Sequence, residues 1–489
     1  MEPIAGQEPG RLRVTIPLND MRPLHQELYG VNCEMMRRLS YLDSGFQELY
    51  RAAEKPIIRY PGGTTANYWN PFTGFMDVIP GHEHRSVEAN EAIRKRTGGS
   101  GEPYGEFFKF VRDLDVPYSI TLNLCTLSVE SNRRWLAAVR DAGARPRFFE
   151  LGNEVHYNEY AGFFADGAAY AVTARRMTDV IRELFPGARV GVVIPNVSYT
   201  DEVFLDELRP AAKNNRRYDD WVRQLRQDVF FDAVILHLYS TYGLPPDIKI
   251  EIFPPLAQTY RNAMAHQDGR FDVCIDSAAA LFPGKDIWLT EYHLGGWTPA
   301  LRQYPLSDSY LGSLHSAAML LKAARRSEIT MAHRNTFTAM LGGTTAADGI
   351  TRVRNNNWRH FLLLGEALRG SERVCIPRVA GAERYSGAGK YRGDYAEIET
   401  AIFWNGSSGW LVIVNKFERE YRLAPSEFAD HAADGICRNG SVLQYSPRGD
   451  VPLEQAYGDR FIMTELRMPL CPDELVLPPY SLTRVHISR

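Results

Sequence analysis

The chain of 489 residues reads as an α/β protein, a (β/α)8 TIM barrel with an accessory C-terminal β-sandwich. Three observations predict it. Short apolar runs recur eight times up to about residue 332. Stretches of helical period separate them. Beyond Arg373 the helical period disappears, and alternating segments with turn dipeptides take over.

The apolar runs are Leu28–Asn32, Pro56–Tyr60, Tyr118–Leu124, Arg147–Leu151, Arg189–Ile194, Ala233–Leu238, Asp286–Thr290 and Ile329–Ala332. Several are near-continuous Val, Ile, Leu and Phe, as expected of strands covered on both faces in a parallel sheet. Helices are expected over Phe46–Glu54, Glu106–Leu114, Asn132–Ala142, Ala168–Leu184, Leu256–His266, Ser307–Ala324 and Trp358–Leu368. Strands alternating with helices in this way suggest a closed barrel. A doubly wound open sheet is disfavoured, because no G-x-G-x-x-G follows an early strand. The stretch from Pro61 to Tyr104 shows no clear periodicity and reads as a long loop, a wall or lid at the catalytic face.

In the C-terminal part, strands are expected over Tyr395–Trp404, Gly409–Asn415, Arg460–Met468 and Ser481–Ile487, with turns at Asn405-Gly406 and Asn439-Gly440. Arg11–Ile16 alternates like a strand and is expected to join this sandwich. The domain reading is therefore 1–26 as an N-terminal strand of the sandwich, 27–371 as the barrel and 372–489 as the sandwich.

Composition excludes several classes. Lys and Arg number 56 against 59 Asp and Glu, so the net charge is −3, without the basic excess of a nucleic-acid binder. The six cysteines, Cys33, Cys125, Cys274, Cys375, Cys437 and Cys471, are scattered without a CxxC, so neither a disulfide framework nor a cysteine zinc site is expected. No run of 18 apolar residues predicts a membrane span. Residues 1–13 hold no apolar signal core, so a cytoplasmic protein is expected if the sequence is complete, and an exported one if a leader was removed.

On a barrel, chemistry stands at the C-terminal ends of the strands. The fourth run ends Gly152-Asn153-Glu154 and the seventh ends Thr290-Glu291-Tyr292. Two carboxylates across one barrel mouth are what glycoside cleavage needs, one to protonate the departing oxygen and one to attack or to activate water. Aromatics in loops, Tyr68, Trp69 and Trp297, are candidates for stacking on sugar rings. Asn123, Asn196 and Asn335 stand at other strand ends. His82-Glu83-His84 lacks metal-ligand spacing, and no G-x-S-x-G is present, so no metal, cofactor or serine nucleophile is expected.

Leu151-Gly152-Asn153-Glu154 together with Trp288-Leu289-Thr290-Glu291-Tyr292 resembles clan A of the retaining glycoside hydrolases. Arg59-Tyr60-Pro61-Gly62-Gly63, Tyr29-Gly30-Val31-Asn32-Cys33-Glu34, His237-Leu238-Tyr239 and Pro478-Pro479-Tyr480-Ser481-Leu482-Thr483 resemble segments of its α-L-arabinofuranosidase and heparanase-like β-glucuronidase branches. The resemblance implies roles. Glu154 is matched to the general acid/base and Glu291 to the nucleophile. Asn153 is matched to the residue that bonds the sugar 2-hydroxyl, and Tyr239 to the tyrosine that orients the nucleophile. Arg59 is matched to a cation beside the nucleophile, Glu34 to a carboxylate that binds sugar hydroxyls, and His237 to a residue lining the site.

The chain departs from the arabinofuranosidase pattern at Thr290 and Tyr292, where that branch has Asp and Trp. It departs also at Val155, where many clan members have Pro, and at Thr64, where that branch often has Asn. The expected activity is a retaining glycosidase acting on oligo- or polysaccharides by double displacement, arabinofuranosidase-like or β-glucuronidase-like. Retention requires carboxylates about 5–5.5 Å apart. The rival reading is a non-catalytic carbohydrate-binding protein on a degenerate barrel.

Overall fold

Eight parallel strands close into a barrel in chain order: β1 (Gly30–Asn32), β2 (Ile57–Tyr60), β3 (Tyr118–Thr121), β4 (Phe148–Leu151), β5 (Arg189–Val193), β6 (Ala233–Ser240), β7 (Asp286–Leu294) and β8 (Ile329–Asn335). This computed structural model describes residues 8–33, 40–101, 104–196, 216–240, 256–295, 309–336, 356–386, 394–423, 441–447, 463–469 and 474–488. Each apolar run of the sequence supplies one strand. β8 returns to β1 with His333 opposite Gly30, which completes the ring. Inside it the packing is close: a Cβ on Gly191 of β5 would lie 2.7 Å from the Trp288 indole, so only glycine leaves room for that ring.

The helices around the barrel are α1 (Ser44–Ala52), α2 (Glu83–Thr97), α3 (Gly105–Leu114), α4 (Val129–Asp141), α5 (Gly167–Leu184), α6 (Arg216–Gln227), α7 (Leu256–Leu281), α8 (Tyr310–Arg325) and α9 (Asn356–Arg369). Several begin at side-chain caps. Asp43, Ser128, Asp166 and Ser309 each accept a bond from a backbone N–H of the first turn, worth about 1 kcal/mol apiece.

Three of these helices correct the sequence reading. The expected loop Pro61 to Tyr104 contains α2, whose inward residues are Ser86, Ala89, Asn90 and Ile93. So small and polar an inner face leaves no apolar period to detect. α6 is rich in charge and buries only Trp221 and Leu225. α7 runs on past His266 to Leu281, because Gln267, Asp268 and Arg270 break the apolar pattern yet are buried and partnered.

Two sheets form the sandwich. The larger has seven strands in the order Met463–Pro469, Ser441–Pro447, Ser481–Ser488, Ser408–Asn415, Ile398–Asn405, Arg373–Cys375 and Arg22–Pro23. The smaller has four: Arg378–Ala380, Gly10–Thr15, Tyr421–Leu423 and Leu475–Leu477. The N-terminal strand thus lies in the smaller sheet, parallel to Tyr421–Leu423 with Gly10 opposite Tyr421. The sequence reading missed most of the short strands, which are three residues long and carry little alternation. The turn expected at Asn405-Gly406 joins Ile398–Asn405 to Ser408–Asn415, whereas Asn439-Gly440, Cys437 and Cys471 lie outside the described residues.

The seven-stranded sheet is apolar on both faces. Ile398, Ile402 and Trp404 point into the sandwich core, while Ala401 and Phe403 point at the barrel and join its core. Helix α8 lies against this sheet and is buried from Tyr310 to Ala324. The Tyr310 hydroxyl donates to the Tyr480 carbonyl at 2.6 Å. Beside this apolar contact sits a buried charged cluster. Asp268 of α7 accepts from Lys416 at 2.9 Å and from the Tyr385 hydroxyl at 2.8 Å, and pairs with Lys322 of α8 at 3.0 Å. Lys416 also reaches Glu399, which pairs with Arg325 at 3.0 Å. Burial pushes the Asp268 carboxyl up, but Lys416 and Lys322 more than reverse this and hold it well below the usual carboxylate range.

The stabilisation from Asp268 is therefore complete above the ordinary Asp range and is lost as pH falls through the lowered folded value. Asp268→Asn removes the carboxylate that Lys322 and Lys416 share and is expected to cost about 3–5 kcal/mol, the scale for breaking a buried pair. Urea titration of the full chain at neutral pH measures it. An unchanged midpoint would show that the cluster does not hold barrel and sandwich together.

Candidate active site

Arg59 interrupts the apolar run of β2, and Glu150 interrupts that of β4. Both side chains are fully buried inside the barrel. The Arg59 Nε donates to Glu150 Oε1 at 3.0 Å and Oε2 at 2.9 Å. Its Nη1 donates to Glu291 Oε1 at 2.6 Å, and its Nη2 donates to Asn153 Oδ1 at 2.9 Å. One planar guanidinium therefore holds the ends of β2, β4 and β7 in register. Burial opposes the arginine's charge, and the two carboxylates overcome that, so it is held more firmly protonated than in water.

Successive strand residues point to opposite faces, yet Thr290 and Glu291 both reach the Arg59–Glu150 unit. The register explains how. Leu236 pairs with Leu289 but His237 pairs with Glu291, and on the other side Ala332 pairs with Leu289 while Arg334 pairs with Tyr292. Relative to both neighbours β7 carries an extra residue, a bulge that turns both side chains inward. The Thr290 hydroxyl donates to Glu150 Oε2 at 3.1 Å.

Glu291 is held as a carboxylate. Burial alone would raise its pKa, but the His237 and Arg59 charges and the bonds from Tyr239 and Arg59 bring it below the ordinary range. The Tyr239 hydroxyl donates to Glu291 Oε2. Asn335 Nδ2 donates to that hydroxyl oxygen at 2.8 Å, and Asn32 Nδ2 donates to Asn335 Oδ1 at 2.8 Å and to Glu291 Oε1 at 3.4 Å. Gly62 lets Asn32 sit there, since a Cβ on it would come 2.2 Å from Asn32 Oδ1.

Glu154 follows β4 on a tight turn. Gly152 has φ +89° and Glu154 itself φ +52°, so the chain folds sharply outward and lifts the carboxylate toward the mouth. Asn67 clamps the turn, donating to the Asn153 carbonyl at 2.7 Å and accepting the Asn153 N–H at 3.0 Å. Glu154 is 21% exposed and Glu291 8%. His237 lies between them. Its Nδ1 is 2.9 Å from Glu154 Oε1 and 3.7 Å from Glu291 Oε2, and its Nε2 is 3.1 Å from the Thr290 hydroxyl. A Glu154 oxygen and a Glu291 oxygen stand within 4.8 Å of each other. The buried Asn153 Nδ2 has no hydrogen-bond partner among the described residues.

The structure brings together Glu154, Glu291, Asn153, Arg59, Tyr239, His237 and Asn335. It does not bring Tyr68 and Trp69 to the surface. Both are buried, Tyr68 with its hydroxyl 2.9 Å from His82 Nδ1 and Trp69 packed edge-on against Tyr60 and Trp135. The expectation that they stack on sugars is therefore corrected: they pack the wall from within. Glu34 and Trp297 lie outside the described residues. Asn123 shapes its own loop, accepting from the Cys125 and Thr126 N–H groups. Asn196 donates to the His237 carbonyl at 2.6 Å.

Sequence reading missed Glu150, Thr290, Asn32 and Asn67. Glu150 and Thr290 had a signal, as polar residues inside apolar strands. Asn32 and Asn67 had none, because their partners are brought in only by the fold. Among the described residues, Glu154, His237 and Glu291 are the one trio whose donor atoms lie within metal-binding reach of each other. Those atoms already serve Arg59, Tyr239 and Thr290 or one another, so hydrogen bonding accounts for the cluster.

No protein-family model matches the chain, and no curated protein matches its sequence. Solved structures do match in shape. A family 51 α-L-arabinofuranosidase from Bifidobacterium longum superposes with a TM-score of 0.71 at 13% identity, over 99% of this chain and 100% of that one. An α-L-arabinofuranosidase from Thermotoga maritima, in complex with arabinose, gives 0.67 at 15% identity over 98% and 100%. A Paenibacillus polymyxa family 44 xyloglucanase gives 0.62 at 11% identity over 99% and 100%. The chain thus has the barrel-and-sandwich fold of the clan A glycoside hydrolases, the group its strand-end motifs resemble.

Proposed function

We propose that this protein is a retaining glycoside hydrolase that cleaves O-glycosidic bonds of oligo- or polysaccharides. The observation that carries the reading is the pair Glu154 and Glu291, with oxygens within 4.8 Å and in contrasting surroundings. A separation of that order suits a carboxylate that attacks carbon directly, whereas inversion needs about 6.5–9.5 Å to admit a water.

Glu291, ionised and aimed by Tyr239 and Arg59, attacks the anomeric carbon. Glu154 gives its proton to the departing oxygen, so the C–O bond to the aglycone breaks as the C–O bond to Glu291 forms. Glu154 then takes a proton from water, and the water oxygen displaces Glu291 to release the sugar. Asn153 Nδ2 supplies a donor for the sugar 2-hydroxyl, a contact that strengthens as charge develops on the ring. The sugar is proposed to be an arabinofuranoside or a β-glucuronide.

Turnover of a panel of nitrophenyl glycosides, those two sugars first, with NMR of the first-formed anomer, tests this. Retention is expected; an inverted first product would overturn the mechanism. Glu291→Ala is expected to abolish turnover on every substrate, and Glu154→Ala to spare activated aryl glycosides and regain rate with azide. Activity surviving in Glu291→Ala would place the nucleophile elsewhere.

A second expectation concerns Tyr239. Its hydroxyl is one of the groups that lower the Glu291 pKa. Tyr239→Phe should therefore move the acidic limb of the kcat/KM profile to higher pH. The fall in kcat/KM should be about 10- to 100-fold, the scale of one charge-assisted bond of about 1.5–3 kcal/mol. An unmoved acidic limb would show that the tyrosine does not tune the nucleophile.

A further inference from the structure

We propose that Thr290 is a positioning residue whose hydroxyl, by donating to Glu150, fixes Nε2 as the protonated nitrogen of His237 and leaves Nδ1 to share one proton with Glu154. The inference rests on the reading of Glu154 as the acid/base and adds the device that keeps its proton in place.

The argument is a count of hydrogens. A threonine hydroxyl has one proton and two lone pairs. Thr290 Oγ1 stands 3.1 Å from Glu150 Oε2 and 3.1 Å from His237 Nε2. Glu150 accepts from Arg59 at both oxygens, so it faces Thr290 as an acceptor. The threonine proton must go to Glu150, since two oxygens at that distance would otherwise repel. A lone pair is then left for His237, which must donate from Nε2. That assigns the imidazole tautomer, and Nδ1 faces Glu154 Oε1 at 2.9 Å with one proton between them.

The rest of the shell fits. The ionisable groups around the ring are Glu154, Glu291, Arg59, His156 and His333, with the Tyr157 hydroxyl donating to Glu154 Oε1 at 3.4 Å. Burial acts against a charge on His237, but Glu291 and Glu154 outweigh it and hold the ring above its ordinary range, with Arg59 opposing. His156 and His333 are kept neutral by burial. Glu150 is therefore the charge that reaches His237 through Thr290, on the side of the ring away from Glu154. During the first step the shared proton leaves with the aglycone. The second step restores it from water, and the Nε2 proton stays on the ring nitrogen, donated to Thr290, throughout.

Thr290→Val keeps the shape and removes the hydroxyl, while Thr290→Ser restores it. Two readouts follow. Nitrogen NMR of histidine-labelled protein, with His237 assigned by its own substitution, reports the tautomer without turnover. The wild type and Thr290→Ser should show Nε2 protonated, and Thr290→Val should lose the Nε2 proton to solvent and keep the shared proton on Nδ1. In kinetics, Thr290→Val should shift the basic limb to lower pH. It should cut kcat/KM for poor leaving groups about 10- to 100-fold, within the usual reach of general acid catalysis, and change dinitrophenyl glycosides less than about threefold. Wild-type nitrogen shifts in Thr290→Val would overturn the proposal, as would an equal loss on all leaving groups with an unmoved basic limb. If no glycoside is turned over by the wild type, the proposed function falls, and the nitrogen shifts alone still decide the role of Thr290.

Discussion

The site hangs on one buried cation. Arg59 is sealed inside the barrel, where an unpaired guanidinium would cost many kcal/mol, and it is tolerated because every donor edge finds an acceptor. Those acceptors come from β4, from the turn after it and from β7. The arginine therefore does structural and chemical work with the same bonds. It joins strands at the rim, and it leaves Glu291 charged in a place where burial would neutralise it. Glu150, the other carboxylate on Arg59, faces away from the mouth and passes its influence to His237 through Thr290. Two glutamates around one arginine thus take different parts according to which side of the guanidinium they occupy.

Much of this was legible in the sequence, for physical reasons. A strand buried on both faces has to be continuously apolar, so the eight barrel strands stood out. The glutamates were visible from their place at strand ends and Arg59 from the segment that resembles the clan, whereas Glu150, a charge inside an apolar strand, was passed over. What stayed hidden depended on contacts between distant segments. Asn32 is an unremarkable polar residue until β8 brings Asn335 beside it. Asn67 matters because a loop from β2 folds over the turn after β4. Tyr68 and Trp69 misled for the converse reason: an aromatic pair in a long loop looks exposed until Phe163 and Trp135 are seen to pack against it.

The bulge on β7 is the least readable element and among the most consequential. Nothing in Leu289-Thr290-Glu291-Tyr292 announces that two neighbours will share a face. The period of two along a strand argues against it. Only the registers with β6 and β8 show the extra residue, and without it either Glu291 or the Thr290 hydroxyl would point into the helices.

The strand Gly10–Thr15 has a consequence for how the chain is made. Its parallel partner is Tyr421–Leu423, and its sheet is completed by Leu475–Leu477. At a synthesis rate of about 5–20 residues per second, this strand leaves the ribosome roughly 20–80 s before either neighbour, Arg378–Ala380 or Tyr421–Leu423, exists. Meanwhile the finished barrel presents α8, whose buried side, largely apolar but with Lys322 on it, faces an absent sheet. The two sheets therefore close over the barrel late in folding, and a nascent chain halted before Arg373 carries both an orphan strand and an uncovered helix for a chaperone to hold.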